Sequence, residues 1–164
     1  MRGSCYRELK GQAYTREEYI GGAPQPKVVK FVMGTQRPYQ YRLKLVSTER
    51  AQIRHNALEA ARVAVNKPLQ EALGEANYLF RIKVYPFHIL RENKMMAFAG
   101  ADRLQEGMRR AFGKPVGRAA RVSQGTVIME VEVDERGIEA AKRALKLGAH
   151  KLPVPCRIEI EKLS

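Results

Sequence analysis

The sequence has no tryptophan, only two cysteines and only three histidines. Cys5 and Cys156 lie near opposite ends of the chain, and His55, His88 and His150 are scattered between them. A structural zinc ion needs four ligands at suitable spacing, so these residues predict no metal site. In a reducing compartment, two isolated cysteines are expected to remain free thiols. No nucleophile motif or phosphate-binding glycine loop occurs, so we expect no catalytic residue and no cofactor.

Long apolar runs are also missing. No window of about 18 apolar residues occurs, so the sequence predicts no membrane-spanning helix. The charged N-terminus lacks the apolar centre of a signal peptide, which favours a cytoplasmic protein. The predicted helices have no concentrated basic face with aromatic anchors, so a membrane-surface protein is a weak alternative and no membrane partner is expected.

Acidic residues are scarce relative to basic ones. Seventeen aspartates and glutamates oppose 30 lysines and arginines, which gives a formal net charge of +13 on 164 residues. A positive field of this strength concentrates polyanions, and nucleic acid is the commonest of these. The length fits one domain with a sizeable core, so we interpret residues 1–164 as a single domain.

The first 26 residues have the composition of an extended, basic tail. Guanidinium and phenol groups alternate there, and these groups contact phosphates and stack on bases. Such a segment has too little apolar surface to fold alone. We predict that it binds RNA through four cations: Arg2, Arg7, Lys10 and Arg16.

Alternating and helical periods predict the order β-β-α-β-loop-β-β-α-β. The strands are expected at residues 27–34, 39–45, 78–90, 118–123, 126–133 and 156–161, with a hairpin turn at Gln124 and Gly125. The first helix is expected to begin at Ser47 or Thr48 and to be interrupted at Pro68. The second is expected over residues 135–147, capped by Asp134 and ended by Gly148.

This order is typical of an α+β fold in which two helices pack on one face of a mixed sheet. The second strand places Arg42 and Lys44 on its outer face, where they are candidate RNA contacts.

A long basic loop is expected at residues 91–121. It has four glycines and no sustained period of 2 or 3.6, and loops of this length are usually functional or disordered. Its lysines can sit near phosphates, and its arginines can hold a phosphate with two bonds or stack on a base. The cations with these roles are Arg91, Lys94, Arg103, Arg109, Arg110, Lys114, Arg118 and Arg121.

Several motifs in and around this loop resemble one protein family. They are Tyr85-Pro86-Phe87-His88-Ile89, Asn93-Lys94-Met95, the run Ala99-Gly100-Ala101-Asp102-Arg103-Leu104-Gln105-Glu106-Gly107-Met108-Arg109, and Ala111-Phe112-Gly113-Lys114-Pro115. They are similar to the universal large-subunit ribosomal protein sixteen family in its archaeal and eukaryotic ten-e type. The short C-terminal end after Leu152 favours the archaeal form.

The resemblance implies an α/β-hammerhead-like sandwich without enzymatic activity. Members bind large-subunit rRNA near the base of the central protuberance, thread their N-terminal extension into it, and join the subunit late in maturation. The loop matching residues 100–115 reaches toward the peptidyl transferase region and its tRNA. The implied partners are large-subunit rRNA, tRNA and neighbouring ribosomal proteins, with no homo-oligomer. The implied tRNA-facing residues are Arg103, Gln105, Met108, Arg109, Arg110, Phe112 and Lys114.

Two further alternatives are a generic RNA-binding protein outside the ribosome, and an enzyme using a cysteine with a histidine, or His88 with Asp102. Only residue type supports the enzyme.

Overall fold

The computed structural model describes residues 1–6, 9, 11–93 and 112–163. The strands of this part of the chain are β1 (Val32–Gly34), β2 (Tyr41–Ser47), β3 (Ala51–Arg54), β4 (Tyr78–Ile82), β5 (His88–Glu92), β6 (Lys114–Val122), β7 (Val127–Val133) and β8 (Cys156–Lys162). Its α-helices are α1 (His55–Leu73) and α2 (Ile138–Ala149). The α+β class predicted from the sequence is confirmed.

The strands form two sheets rather than the single mixed sheet that the sequence suggested. The first has the order β1-β4-β7-β2-β8 and the second the order β3-β6-β5. Every pairing among the described strands is antiparallel. Alternation along a strand shows which residues share a face, but it carries no information about which partner strand lies alongside.

One hydrophobic core joins both sheets and both helices. The periodic stripe of α1 is buried as the sequence predicted, with Leu58, Ala61, Val65 and Leu69 fully covered. Gly148 of α2 lies so close to α1 that a Cβ atom added there would stand 2.3 Å from Val65 Cγ2. The two helices can therefore approach this closely only because position 148 has no side chain.

The start of the first helix was predicted wrongly. Ser47 is the last residue of β2, and the next element is β3, so α1 begins only at His55. Ile53 is fully buried and pairs with Ala120 of β6. Burial of Ile53 and the ladder to β6 outweigh the local capping pattern at Ser47 and Thr48.

The expected interruption at Pro68 was also wrong in part, because α1 runs continuously through this residue. Val65 and Leu69 on either side of it are fully buried. Packing of these side chains holds the helix together where the missing amide of proline would weaken it.

The second helix begins and ends later than the sequence predicted. Asp134 makes no capping hydrogen bond; its Oδ2 accepts one from Arg37 Nη2 at 2.7 Å instead. A 3-10 turn at Glu135–Gly137 leads into α2, which continues past Gly148 to Ala149. Contact with Val65 fixes Gly148 inside the helix rather than at its end.

Gln124 and Gly125 form a turn but not a hairpin. The strands on either side of it, β6 and β7, belong to different sheets. The amide of Gly125, whose φ is +86°, donates to Ser47 O at 2.8 Å, and Ser47 N donates to Thr126 O at 2.9 Å. The turn is therefore fixed to the end of β2, where the chain changes sheets.

The long loop is shorter than predicted at both ends. Arg91 and Glu92 belong to β5, and residues 114–121 belong to β6. Glu92 pairs with Lys114 at the end of this ladder. Residues 94–111, which hold most of the predicted loop, lie outside the described residues.

Candidate nucleic-acid interface

The N-terminal tail packs along the second sheet. Ile89 N of β5 donates a hydrogen bond to Tyr14 O at 2.9 Å, and Tyr14 N donates to His88 Nδ1 at 2.8 Å. Ile20 of the tail is buried. The tail therefore covers the free edge of β5. The sequence did not predict this packing, because the tail has few apolar residues.

His88 is a neutral anchor for this tail. Burial, together with the positive charges of Arg121 and Arg91, lowers the pKa of His88 to about 4. A neutral imidazole presents Nδ1 as an acceptor when the other nitrogen carries the proton, and this suits the bond from Tyr14 N. His88 thus serves the packing of the tail, and its predicted partner in an enzyme, Asp102, lies outside the described residues.

Arg118 was predicted to contact RNA, but its guanidinium is occupied within the protein. It is only 5% exposed. Nε donates to Pro24 O at 2.6 Å, and Nη2 is hydrogen-bonded to the carboxylate of Glu17. The side chain therefore clamps the tail to β6, and its contacts leave little of it for a phosphate.

Arg121 makes a similar contact three residues along β6. Its Nη1 donates to Gly11 O at 2.9 Å, while its buried Nε has no hydrogen-bond partner among the described residues. Arg121 therefore also holds the tail, and the residue as a whole is half-buried.

Arg42 and Lys44, the predicted contacts on the first sheet, take part in an ion network. Arg42 Nη2 lies 2.8 Å from Glu132 Oε1, and Lys44 Nζ lies 2.9 Å from Glu161 Oε2. The hydrogen bond to Glu132 raises the pKa of Arg42, and the one from Lys44 lowers the pKa of Glu161. Glutamates offset the positive charge on this face of the sheet, which sequence alternation could not reveal.

The network continues across the central strand β7. Arg81 Nη1 lies 3.2 Å from both Glu130 Oε1 and Glu132 Oε1, and Lys83 Nζ lies 3.7 Å from Glu130. Both glutamates are nearly buried, at 5% and 6% exposure. Four cations thus surround three carboxylates, so the excess charge of the protein is concentrated elsewhere.

An aromatic and cationic cluster stands where β5 and β6 lead into residues 94–111. The Arg91 guanidinium carbon lies 3.6 Å from the Phe112 ring centroid and 4.6 Å from that of Tyr14. The two rings meet edge to face at 5.6 Å, and Arg91 Nη1 donates to Phe112 O at 3.1 Å. Phe112 remains 59% exposed, so a large aromatic surface is presented beside a cation.

Gly113 closes this strand pair beside Phe112. Its φ is +78°, and a Cβ atom at this position would lie 2.9 Å from the carbonyl carbon of Glu92. Both the backbone conformation and the close approach therefore require glycine here.

The remaining predicted contacts divide into two groups. Arg2, Arg16 and Lys114 are exposed. The others lie outside the described residues: Arg7, Lys10, Lys94, Arg103, Gln105, Met108, Arg109 and Arg110.

Sequence reasoning missed the roles of Tyr14, Glu17 and His88 in holding the tail. The phenol groups of the tail were interpreted only as possible base contacts, and His88 only as part of a family motif and of the enzyme alternative. No local pattern could have found these contacts, because each joins residues that are far apart in the chain.

The described residues offer little for catalysis or metal binding. Among residues 1–6, 9, 11–93 and 112–163, no group of three or more histidine, cysteine, aspartate or glutamate side chains could hold a metal ion. Cys5 and Cys156 are free thiols, and burial raises the pKa of Cys156, which disfavours a thiolate nucleophile. No helix in the described part of the chain is long and apolar enough to span a membrane.

Comparison with known proteins gives a consistent result over nearly the whole chain. Residues 9–159 match the family model described as "Ribosomal protein L16p/L10e". The chain is 60% identical over 160 residues to "Large ribosomal subunit protein uL16" of Staphylothermus marinus, which covers 97% of this chain and 92% of that protein. The proteins of the same name from Hyperthermus butylicus and Sulfolobus acidocaldarius are 59% and 55% identical, over 95% and 99% of this chain and 90% and 94% of theirs.

Proposed function

The chain belongs to the ribosomal protein L16p/L10e family in its archaeal form, and from this premise we propose how it acts in the large ribosomal subunit. It is a structural constituent of that subunit in the cytoplasm, takes part in translation, associates with rRNA, and is not an enzyme. The proposal concerns which surfaces of the protein meet rRNA and which meet tRNA.

The tail and the second sheet form the rRNA-binding side of the protein in this proposal. Its main support is the contrast between the two sheets. Glutamates offset the cations on the first sheet, whereas the tail and the end of the second sheet expose Arg2, Arg16 and Lys114. Phosphate contacts by exposed cations supply most of the affinity for RNA.

Residues 94–111 face tRNA in this proposal, close to the peptidyl transferase region. The cluster of Arg91, Tyr14 and Phe112 supports it, because it fixes both strand ends from which the segment departs and exposes one aromatic ring for stacking. The segment itself adds Lys94, Arg103, Arg109 and Arg110 against Asp102 and Glu106. Contacts with neighbouring ribosomal proteins and a late role in subunit maturation belong to the same proposal.

Separate variants test the two surfaces. A chain with Arg2→Gln and Arg16→Gln should bind large-subunit rRNA more weakly, with a log–log salt slope reduced by about 1.4, or 0.7 per lost phosphate contact. The matched control is Lys44→Gln, which removes a cation that Glu161 already neutralises on the first sheet, and it should keep the salt slope of the wild type. An unchanged slope in the tail variant would refute the proposed role of these cations.

A chain with Arg109→Glu and Arg110→Glu should still enter the large subunit but bind tRNA there more weakly. Arg143→Glu on the exposed side of α2 is the control and should change neither property. Sucrose gradients measure incorporation, and filter binding of labelled tRNA to the purified subunits measures the second property. Complete loss of the double variant from the subunit, or normal tRNA binding after incorporation, would contradict this division of roles.

A further inference from the structure

An apolar groove of about 630 Å³ lies between the tail and the rest of the protein. Tyr6 and Leu9 of the tail form one side, Ala51 of β3 lies in the lining, and Leu152 and Pro153 contribute from the turn after α2. Arg50 Nη2 donates to Leu9 O at 2.9 Å and so ties the tail side to the start of β3. The volume falls in the range typical of small-molecule sites, roughly 300–1,000 Å³.

Two cations and the buried Gln52 stand in this mainly apolar lining. Lys151 is exposed, and Arg54 is half-buried directly before α1. Arg54 Nε is fully covered and has no hydrogen-bond partner among the described residues. Because the protein covers this atom, a ligand in the groove cannot reach Nε, and Arg54 offers the groove only the positive charge of its half-buried side chain.

The local electrostatic potential is positive for two further reasons. The 19-residue helix α1 begins at His55 without a side-chain cap, so the positive end of its dipole lies beside Arg54. Burial, followed by the charges of Lys27, Arg54 and Arg118, lowers the pKa of His55. The charges of Lys27 and Arg54 near this helix end favour an anionic ligand, whereas Arg118 is already paired with Glu17.

We propose that the groove binds an unstacked nucleotide of large-subunit rRNA, with its base against the Tyr6 and Pro153 side and its phosphate at Arg54 and Lys151. This inference rests on the proposed rRNA binding. An apolar side chain would fill the groove but leave the charges of Arg54 and Lys151 without an anion. A nucleotide supplies both a flat apolar surface and an anion, and unpaired bases that stack on aromatic side chains are the usual targets of RNA-binding proteins.

Filter binding of the full-length protein to a large-subunit rRNA transcript tests the inference. Tyr6→Ala should weaken binding by about tenfold, which corresponds to one lost stacking contact. Tyr6→Phe should keep wild-type affinity, because the ring remains. Tyr85→Ala, which removes a 49% exposed tyrosine outside the tail, is the matched control and should bind normally. Thermal melting followed by circular dichroism confirms that each variant is folded.

The charged end of the groove is tested by the salt dependence of the same binding. Lys151→Gln should reduce the log–log slope by about 0.7, the value for one phosphate of a single strand. Lys67→Gln, on the exposed side of α1, is the control and should leave the slope unchanged.

The possible outcomes separate this inference from the proposed function. If the wild-type protein fails to bind the transcript, the proposed function itself fails. If it binds and Tyr6→Ala binds as well as Tyr85→Ala, the groove does not hold a nucleotide and the inference is wrong. It is also wrong if Tyr6→Ala binds the naked transcript normally but is lost from assembled subunits, because the occupant is then a neighbouring protein.

Discussion

Replacing Glu132 with glutamine should lower the free energy of unfolding by about 2 kcal/mol. Glu132 Oε1 accepts hydrogen bonds from Arg42 Nε at 3.0 Å, from Arg42 Nη2 at 2.8 Å and from Arg81 Nη1 at 3.2 Å. The glutamate is only 6% exposed. Glutamine keeps one acceptor oxygen, but it removes the charge that opposes two guanidinium groups.

The size of this loss depends on how well water and the remaining carboxylate stabilise the charges of Arg42 and Arg81 once Glu132 is replaced. Removing one partner of a buried ion pair costs about 3–5 kcal/mol. The side chains of Arg42 and Arg81 are 29% and 27% exposed, so water solvates them in part. Glu130 also remains, 3.2 Å from Arg81 and 3.8 Å from Arg42. These compensations reduce the expected cost to about 2 kcal/mol, or about 6 °C in Tm for a chain of this length.

Guanidinium chloride titration at pH 7, followed by circular dichroism, measures the effect. Glu159→Gln is a matched control on β8, where Glu159 Oε1 lies 2.8 Å from Arg157 Nε. Both of those side chains are well exposed, at 47% and 60%, so the control should cost less than about 0.5 kcal/mol. Equal losses in the two variants would refute the view that the buried network on the first sheet stabilises the fold.

Three other predictions concern the tail and the helix pair. The pKa of His88 is lowered to about 4 in the folded protein, so the unfolded chain takes up a proton first as the pH falls. The free energy of unfolding should therefore decrease as the pH is lowered from 6.5 toward 4. Thermal melts at a series of pH values should show a weaker pH dependence for His88→Asn. Gly148→Ala should cost about 1–3 kcal/mol because of the clash with Val65, and adding Val65→Ala should recover part of that loss in denaturant titrations. Deleting residues 1–20 should lower stability by about 2 kcal/mol, because Arg118 loses its carboxylate partner Glu17 and His88 loses its hydrogen bond from Tyr14 N. An unchanged Tm would contradict this prediction.

Local periodicity predicted the helices and strands better than it predicted their boundaries. The stripe of α1 from Leu58 to Leu69 was recognisable because one helix face must be buried. The start of that helix was not, since the pairing of Ile53 with Ala120 decides that residues 51–54 form a strand. The two-sheet arrangement was equally hidden, because strand order depends on partners that are distant in the chain.

The predicted RNA contacts show the same limit. Arg118 and Arg42 are ordinary basic residues in the sequence, yet one clamps the tail and the other lies in an ion network. A charge count cannot distinguish a cation that meets solvent from one that meets a carboxylate on another strand.

The sequence by itself determined the α+β class, the net charge of +13, the absence of catalytic motifs, and the motifs that mark the ribosomal family. These properties depend on composition, local periodicity and short motifs. Only the tertiary structure decided that the tail packs on β5 through Tyr14 and His88, that Arg118 is buried against it, and that a groove opens beside Arg54. Each of these features joins residues that are far apart in sequence, and folding alone brings them within hydrogen-bonding distance.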